Sequence, residues 1–184
     1  GLAGGGWLAL ASLLRSLPCI PMPRGCTPTD LADLTQRFVM SALRASAVGF
    51  DFIALHAAHC YLFHPFYSSL PYLRTDLYGA DLAGRTRFLR EVAQEVRRSI
   101  PAETPLFVRI SATDWLEGGW NINDSISLVR ELKNVGVDLI DFSSGGVIHW
   151  AKVPVGPGNQ APCPQPTKKE HGIPTSTVSL ISVE

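Results

Sequence analysis

The sequence has no excess of charge of either sign: 16 basic residues stand against 16 acidic ones in a chain of 184 residues. Without a basic surface to attract phosphate groups or an anionic bilayer, neither nucleic acid nor a membrane surface is an expected partner. A long hydrophobic run is also lacking, because the opening GLAGGGWLALASLL is far below the ~20 apolar residues of a membrane span. The 46% hydrophobic content is that of a soluble, globular domain.

Cysteine is scarce and scattered, at Cys19, Cys26, Cys60 and Cys163, with no CxxC pair and no regular spacing. We therefore expect neither a zinc knuckle nor a disulfide framework, and we expect a reducing, cytoplasmic setting. An initiating methionine is missing as well. Its absence indicates a fragment or a processed chain.

Glycine and proline are frequent in residues 1–26, which we predict to be an irregular N-terminal arm, while residues 27–184 form the domain. Structure is expected to begin at Thr27, an N-cap with Pro28 at the first helical position. The predicted elements are a helix from Pro28 to Gly49, a strand at 50–56, a helix at 85–99, a strand at 106–111, a helix at 123–135, a strand at 137–144, a short helix that Gly172 ends, and a strand at 174–181.

Helices that alternate with short apolar strands indicate parallel βαβ units, and so either a doubly wound sheet or part of a β/α barrel. No GxGxxG turn is present, which disfavours a dinucleotide-binding sheet. Polar residues follow each strand at its carboxyl end, as on the active face of a barrel. They are His56 and His59, then Arg109 and Ser111, then Ser143, Ser144, Gly145 and Gly146. An α/β fold that forms part of a TIM barrel is therefore predicted.

The stretch LHAAHCYLFHPFY, residues 55–67, holds three of the five histidines. Their spacing differs from that of helical zinc pairs, and no HExxH is present, so no metal site is expected. One interpretation is that they are partly buried histidines at a strand end. Alternatively, His56 and His59 supply two hydrogen-bond donors for an oxygen, beside the phenolic acid of Tyr61.

Arg109 lies at the same end of the next predicted strand. It is a fixed positive charge suited to an electron-rich ring or an oxyanion. A salt bridge to a barrel carboxylate is the alternative, and spacing does not decide between the two.

Five stretches of the sequence occur in a characteristic order: GFDFIALHAAHCYLFHPF, RTDLYGADLAGRTRFLREV, VRISATDWLEGGW, VDLIDFSSGG, and KVPVGPGNQAP with IPTSTVSLI. In this order they resemble the Old Yellow Enzyme family of FMN-dependent ene-reductases, and in particular its NADPH dehydrogenase branch. The resemblance runs from about Thr27 to the end of the chain.

This resemblance implies a TIM barrel that holds FMN over its carboxyl face, accepts electrons from NADPH or NADH, and reduces the activated C=C bond of an enone-type small molecule. It also implies the roles of four residues. His56 and His59 bind the substrate carbonyl, Tyr61 protonates the α-carbon while hydride reaches the β-carbon, and Arg109 contacts the flavin ring. Such an enzyme orients the substrate while the cofactor carries the redox chemistry.

The sequence departs from the family in length and at several motif positions. A β/α barrel has eight strands and ~250 residues, and matched against the family the chain supplies strands four to seven. Cys60 replaces the glycine of the usual HGY, and the GGSLENR turn reads GADLAGR at residues 79–85. Ser179 replaces a phosphate-side glycine, and Asn159 replaces the tyrosine of the PGYQ loop.

Three accounts of the short barrel follow from these departures. The chain is a partial gene product or gene-model fragment, a half-barrel that completes itself by dimerising, or a non-catalytic remnant that binds no flavin and acts by association with a partner. An open four-stranded sheet exposes two edges and the apolar inside of the barrel. A homo-oligomer through these edges is therefore an expected assembly.

Overall fold

The structure is a computed structural model, and it describes residues 25–70, 74–147 and 151–178. Helices and strands alternate along the chain as predicted, with one short additional helix, α2. The elements are α1 (Pro28–Ala47), β1 (Ile53–Ala57), α2 (His64–Tyr67), α3 (Leu82–Ser99), β2 (Leu106–Ser111), α4 (Ile122–Asn134), β3 (Leu139–Ser143), α5 (Pro164–His171) and β4 (Thr175–Thr177).

Capping explains where the helices begin. Thr27 and Asp30 form a reciprocal capping box at the start of α1, as the N-cap prediction requires. The start of α3 was predicted at Arg85 but lies at Leu82, because the Asp81 carboxylate accepts a hydrogen bond of 2.7 Å from the Gly84 N–H. A polar residue just ahead of the apolar period therefore added a turn that periodicity alone does not reveal.

The first strand begins at Ile53 and not at Phe50 as predicted, because the end of α1 uses this part of the backbone. The Phe50 N–H donates to the Ala45 carbonyl at 3.2 Å, and Gly49 has a φ of +85°. The chain thus leaves the helix through a left-handed glycine, as helix C-termini commonly do. Most of the predicted N-terminal arm, and residues 179–181 of the last predicted strand, lie outside the described residues.

The four strands form one parallel sheet in the order β1-β2-β3-β4. A parallel neighbour requires a crossover, and here each crossover contains a helix. Successive strands are therefore also neighbours in space. The predicted α/β architecture of consecutive β/α units is present.

Strand residues alternate between two faces. The outer face packs against the helices and is buried; its residues are Ile53, Leu55, Ala57, Leu106, Val108, Ile110, Ile140 and Phe142. They join one core with Phe88, Val92 and Val96 of α3 and with Leu128 and Leu132 of α4. The inner face carries two buried serines, Ser111 and Ser143. Its other residues are at least partly exposed: Ala54, His56, Phe107, Arg109, Leu139, Asp141 and Ser176. Helix packing thus accounts for the outer face alone.

Candidate active site

The inner face carries a row of polar residues across the sheet. In the strand register His56 lies beside Arg109, Arg109 beside Asp141, and Asp141 beside Ser176. Adjacent strands are about 4.8 Å apart, so side chains in one row are in reach of each other. The Arg109 Nε lies 3.4 Å from Asp141 Oδ2, and the Ser176 hydroxyl donates to Asp141 Oδ1 at 2.8 Å. Asp141 is therefore held between a cation and a hydroxyl.

The salt bridge that was the alternative for Arg109 is present, but it involves only one side of the guanidinium group. The Arg109 Nε–H is buried, and no described residue accepts from it in hydrogen-bond geometry, since its contact with Asp141 is an ion pair only. About a third of the side chain, 32%, remains exposed. Arg109 thus keeps both its charge and hydrogen-bond donors available on the inner face.

A tight turn after β1 brings three rings together. His59 and Cys60 both adopt left-handed backbone, with φ of +55° and +63°. This turn folds the chain back over the strand end, so that the His59 ring centroid lies 5.4 Å and the Tyr61 ring centroid 5.0 Å from that of His56. The three side chains that the sequence singled out are therefore neighbours. Tyr61 is 53% exposed.

The turn is held by its own N–H groups. Those of His59, Cys60 and Tyr61 donate to Ser111 Oγ at 3.2 Å, to His64 Nδ1 at 3.0 Å and to the Ala58 carbonyl at 3.1 Å. Left-handed backbone costs a non-glycine residue about 1–2 kcal/mol. Each hydrogen bond returns on the order of 1 kcal/mol, so together they offset the strain of the turn.

A glycine on the neighbouring loop makes room for the turn. A Cβ added at Gly146 would lie 2.6 Å from the His59 Cα, and Gly146 itself has a φ of +98°. No L side chain fits there without moving the histidine. The SSGG stretch after β3 therefore serves the site through close backbone approach.

Two of the departures from the family motifs fall on left-handed backbone. Cys60, in place of the glycine of HGY, has a φ of +63°, and Ala80, in place of the second glycine of GGSLENR, has a φ of +59°. Glycine adopts this conformation without steric cost. The glycines of the family motifs thus have a backbone reason, and this chain tolerates side chains at both places at some cost in stability.

Both histidines are neutral near pH 7. Burial, and then the positive charge of Arg109, lowers the pKa of His59 to about 4. The same two causes lower the pKa of His56, although Asp141 acts in the opposite direction. A neutral imidazole has one N–H donor and one acceptor. His59 uses Nε2 in a contact of 2.5 Å with Ser143 Oγ. The pair suits an uncharged substrate oxygen.

Sequence reasoning left His64 without a role and did not single out Asp114. The structure joins them in a buried pair, with His64 Nε2 2.9 Å from Asp114 Oδ1. They are far apart in the chain, so no local spacing connects them. The only available signal was that both lie in stretches that carry the family resemblance.

Within residues 25–70, 74–147 and 151–178, no three His, Cys, Asp or Glu side chains are grouped so that they could hold a metal ion. In that same part of the chain, no helix has the length and apolar character needed to cross a membrane.

Comparison with known proteins identifies the family of the chain. The model of the NADH:flavin oxidoreductase / NADH oxidase family matches residues 13–183. The chain belongs to this family. It is 42% identical over 160 residues to an NADPH dehydrogenase of Halalkalibacterium halodurans, covering 87% of this chain and 46% of that protein. It is 40% identical over 164 residues to the NADPH dehydrogenase of Bacillus subtilis, covering 86% and 48%. The chain spans about half the length of these curated relatives.

The chain also matches solved structures in its fold, again over part of their length. The old yellow enzyme homologue of Zymomonas mobilis superposes with a TM-score of 0.69 at 21% identity, over 86% of this chain and 44% of that one. At this identity the likeness concerns the fold alone. The family resemblance and the partial β/α barrel expected from the sequence are both confirmed.

The residues present fit the cofactor that this family's description names, a flavin. An electron-rich ring with acceptor atoms needs donors and positive charge. The inner face offers the Arg109 guanidinium, whose buried Nε–H has no hydrogen-bond partner among the described residues, and beside it the neutral His56 and His59. Ser179, the departure expected on the phosphate side, lies outside the described residues. Arg109 is therefore the described residue that would hold the flavin ring.

Proposed function

We propose that the chain carries the substrate-binding half of an FMN-dependent NAD(P)H oxidoreductase that reduces activated C=C bonds such as those of enones. One observation carries the proposal: the rings of His56, His59 and Tyr61 are grouped at the carboxyl end of β1, beside the Arg109 cation. Since the chain spans about half of its relatives, the activity is proposed for the protein in which this half-barrel operates.

The residues divide the work of reducing a C=C bond conjugated to a carbonyl. Bound FMN, reduced by NADPH or NADH, would supply the hydride that reaches the β-carbon. His56 and His59, both neutral, donate hydrogen bonds to the carbonyl oxygen, where negative charge develops as the enolate forms. Tyr61 gives its hydroxyl proton to the α-carbon and regains one from solvent, to which it is exposed. One hydride and one proton thus saturate the bond.

The first test is whether flavin binds. The purified 184-residue chain is mixed with FMN, passed through a desalting column and examined by visible spectroscopy. Near-stoichiometric bound flavin supports the proposal, and Arg109→Ala should weaken the binding. A colourless wild-type protein would contradict the proposal for the isolated chain and favour the non-catalytic remnant.

The second test separates the two half-reactions. Tyr61→Phe removes the proton donor but leaves the ring, so enone reduction should slow by about 10²–10⁴-fold while flavin reduction by NADPH stays near the wild-type rate. Tyr78→Phe is the matched control, since the Tyr78 hydroxyl donates to Glu91 at 3.0 Å, away from the site. Equal loss of both half-reactions in Tyr61→Phe would be incompatible with its assigned role.

We also propose that a second copy of the chain associates through the exposed edges of the sheet. Two observations support this: β1 and β4 are the outermost of the described strands, and Phe52, 50% exposed, stacks on Phe107 with ring centroids 4.7 Å apart. Unpaired strand edges and exposed aromatic rings favour association. Light scattering should give the mass of a dimer, and Phe52→Lys should shift it towards the monomer. A monomeric wild type would overturn this assembly.

A further inference from the structure

We propose that His64 is a positioning residue, whose Nδ1 holds the left-handed Cys60 peptide and thereby sets the directions of the His59 and Tyr61 side chains. The inference rests on the proposed function for its consequence, since it assigns a role to a buried residue behind the same site. Its physical content, control of a turn by one buried imidazole nitrogen, can be tested without any flavin.

The hydrogen bonds of His64 determine its tautomer. The side chain is fully buried, and its Nδ1 accepts from the Cys60 N–H at 3.0 Å. A nitrogen that accepts a hydrogen bond carries no proton, so the ring proton is on Nε2, which donates to Asp114 Oδ1 at 2.9 Å. The imidazole therefore links a buried carboxylate to the strained peptide of the turn. Second-layer carboxylates orient histidine rings in this way in other sites.

Asp114 is itself fixed, so it is a firm anchor for the ring. It is 2% exposed, and its second oxygen, Oδ2, accepts from the Ser68 hydroxyl at 2.6 Å and from the Trp120 N–H at 2.8 Å. Three donors thus hold one carboxylate. Rotation of the His64 ring would leave a buried charge short of a partner, which is costly.

Tyr67 braces the ring from the side. It stacks on His64 with ring centroids 4.8 Å apart. Its hydroxyl donates to the carbonyl of Ala57, the last residue of β1, at 2.7 Å and accepts from the Ser111 N–H at 3.1 Å. The anchor of the turn is therefore tied to the ends of both strands that carry His56 and Arg109.

The turn needs such an anchor because two successive residues are left-handed. Right-handed backbone at Cys60 would be favoured sterically, but it would turn the Cys60 N–H away from His64 Nδ1. His59 would then leave Ser143, and Tyr61 would leave His56. The acceptor on His64, and not only the volume of its ring, is what the site requires.

Two amide substitutions separate the acceptor from the ring. In His64→Asn the amide oxygen takes the place of Nδ1 and can still accept from Cys60. In His64→Gln the longer chain places the amide near Nε2, where it serves Asp114 and leaves Cys60 unpaired. If His64 only fills the core or pairs with Asp114, the glutamine variant should stay closer to the wild type. If His64 holds the turn, the asparagine variant should stay closer to the wild type.

The readout is the pKa of His59 in the full chain, followed by NMR titration. Burial, and then the charges of Arg109, His56 and His64, lower this pKa to about 4, while Asp141 acts in the opposite direction. We expect it to stay near 4 in His64→Asn and to move towards 6.5 in His64→Gln. Both variants remove the imidazole, so its own electrostatic effect cancels in the comparison. Equal pKa values in the two variants, or a larger shift in His64→Asn, would overturn the proposal.

A second measurement guards against variants that fold poorly. Cys60→Gly removes the strain at the left-handed position, so His64→Gln should lower the urea midpoint less in that background than in the wild type. Equal losses in the two backgrounds, or failure of all His64 variants to fold in both, would show that the buried ring itself is what matters and would sink the acceptor role. Neither measurement uses flavin, so a colourless protein would contradict the proposed function for the isolated chain and leave this result standing.

Discussion

The two faces of the sheet are made by alternate residues of the same strands, yet they differ in almost every physical respect. The outer face is apolar, buried and covered by α3 and α4, while the inner face is partly exposed and bears the polar row from His56 to Ser176. A side-chain period of two lets a single strand serve packing on one side and chemistry on the other. Stability and the candidate site are thus separable by substitution.

The largest difference is expected for neighbours on β3. Ile140→Ala removes a fully buried outer-face side chain and should lower the free energy of unfolding by about 2–5 kcal/mol. Leu139→Ala, on the partly exposed inner face, should cost about 1 kcal/mol or less. Urea denaturation of the two variants measures both. Equal losses would contradict the difference between the two faces.

Acid should act first on the turn that follows β1. The His59 pKa is about 4 in the fold against an ordinary 6.5, so the unfolded chain takes up a proton before the folded one does. The contribution of His59 to stability is therefore complete above pH 6.5 and is lost as the pH falls towards 4. His59→Asn should show a shallower loss of urea midpoint over this range, while Leu139→Ala should parallel the wild type. Identical slopes for His59→Asn and wild type would show that His59 does not cause this pH dependence.

The smallest effect should come from restoring glycine at the two left-handed positions. Cys60→Gly and Ala80→Gly each relieve steric strain of about 1–2 kcal/mol but add backbone entropy to the unfolded chain, so a net gain of about 0.5–1 kcal/mol is expected. Thermal unfolding checks both variants. Only Cys60 belongs to the site turn, so Ala80→Gly is the control that should leave the His59 titration unchanged. If either glycine lowered the melting temperature, the left-handed backbone at that position would not be strained.

The alternation of helices and strands was predictable because amphipathic periods and helix caps are local. Boundaries were wrong where a short-range hydrogen bond overrode the period, as at Asp81 and at the Phe50 N–H. The four residues of the candidate site were chosen from strand ends and family motifs, and the structure groups them; their roles stay predictions. The free cysteines Cys60 and Cys163 do not test the cytoplasmic setting, which also stays a prediction.

The long-range pairs could not be predicted. Whether Arg109 meets Asp141, and whether His64 meets Asp114, depends on strand register and on how the loops return over the sheet. Neither leaves a trace in sequence spacing. The same holds for Gly146, whose role became evident only once the His59 backbone lay against it.

The sequence alone was enough to predict the family, the β/α order and the residue types that could bind a carbonyl and deliver a proton, because local periodicity and ordered motifs carry this information. Which side chains meet depends on the folded chain. Parallel pairing placed Arg109 between His56 and Asp141, and a strained turn held by the buried His64 brought His59 and Tyr61 back over the strand end. The physical reason is that contacts between distant segments depend on register and packing, which no short stretch of sequence contains.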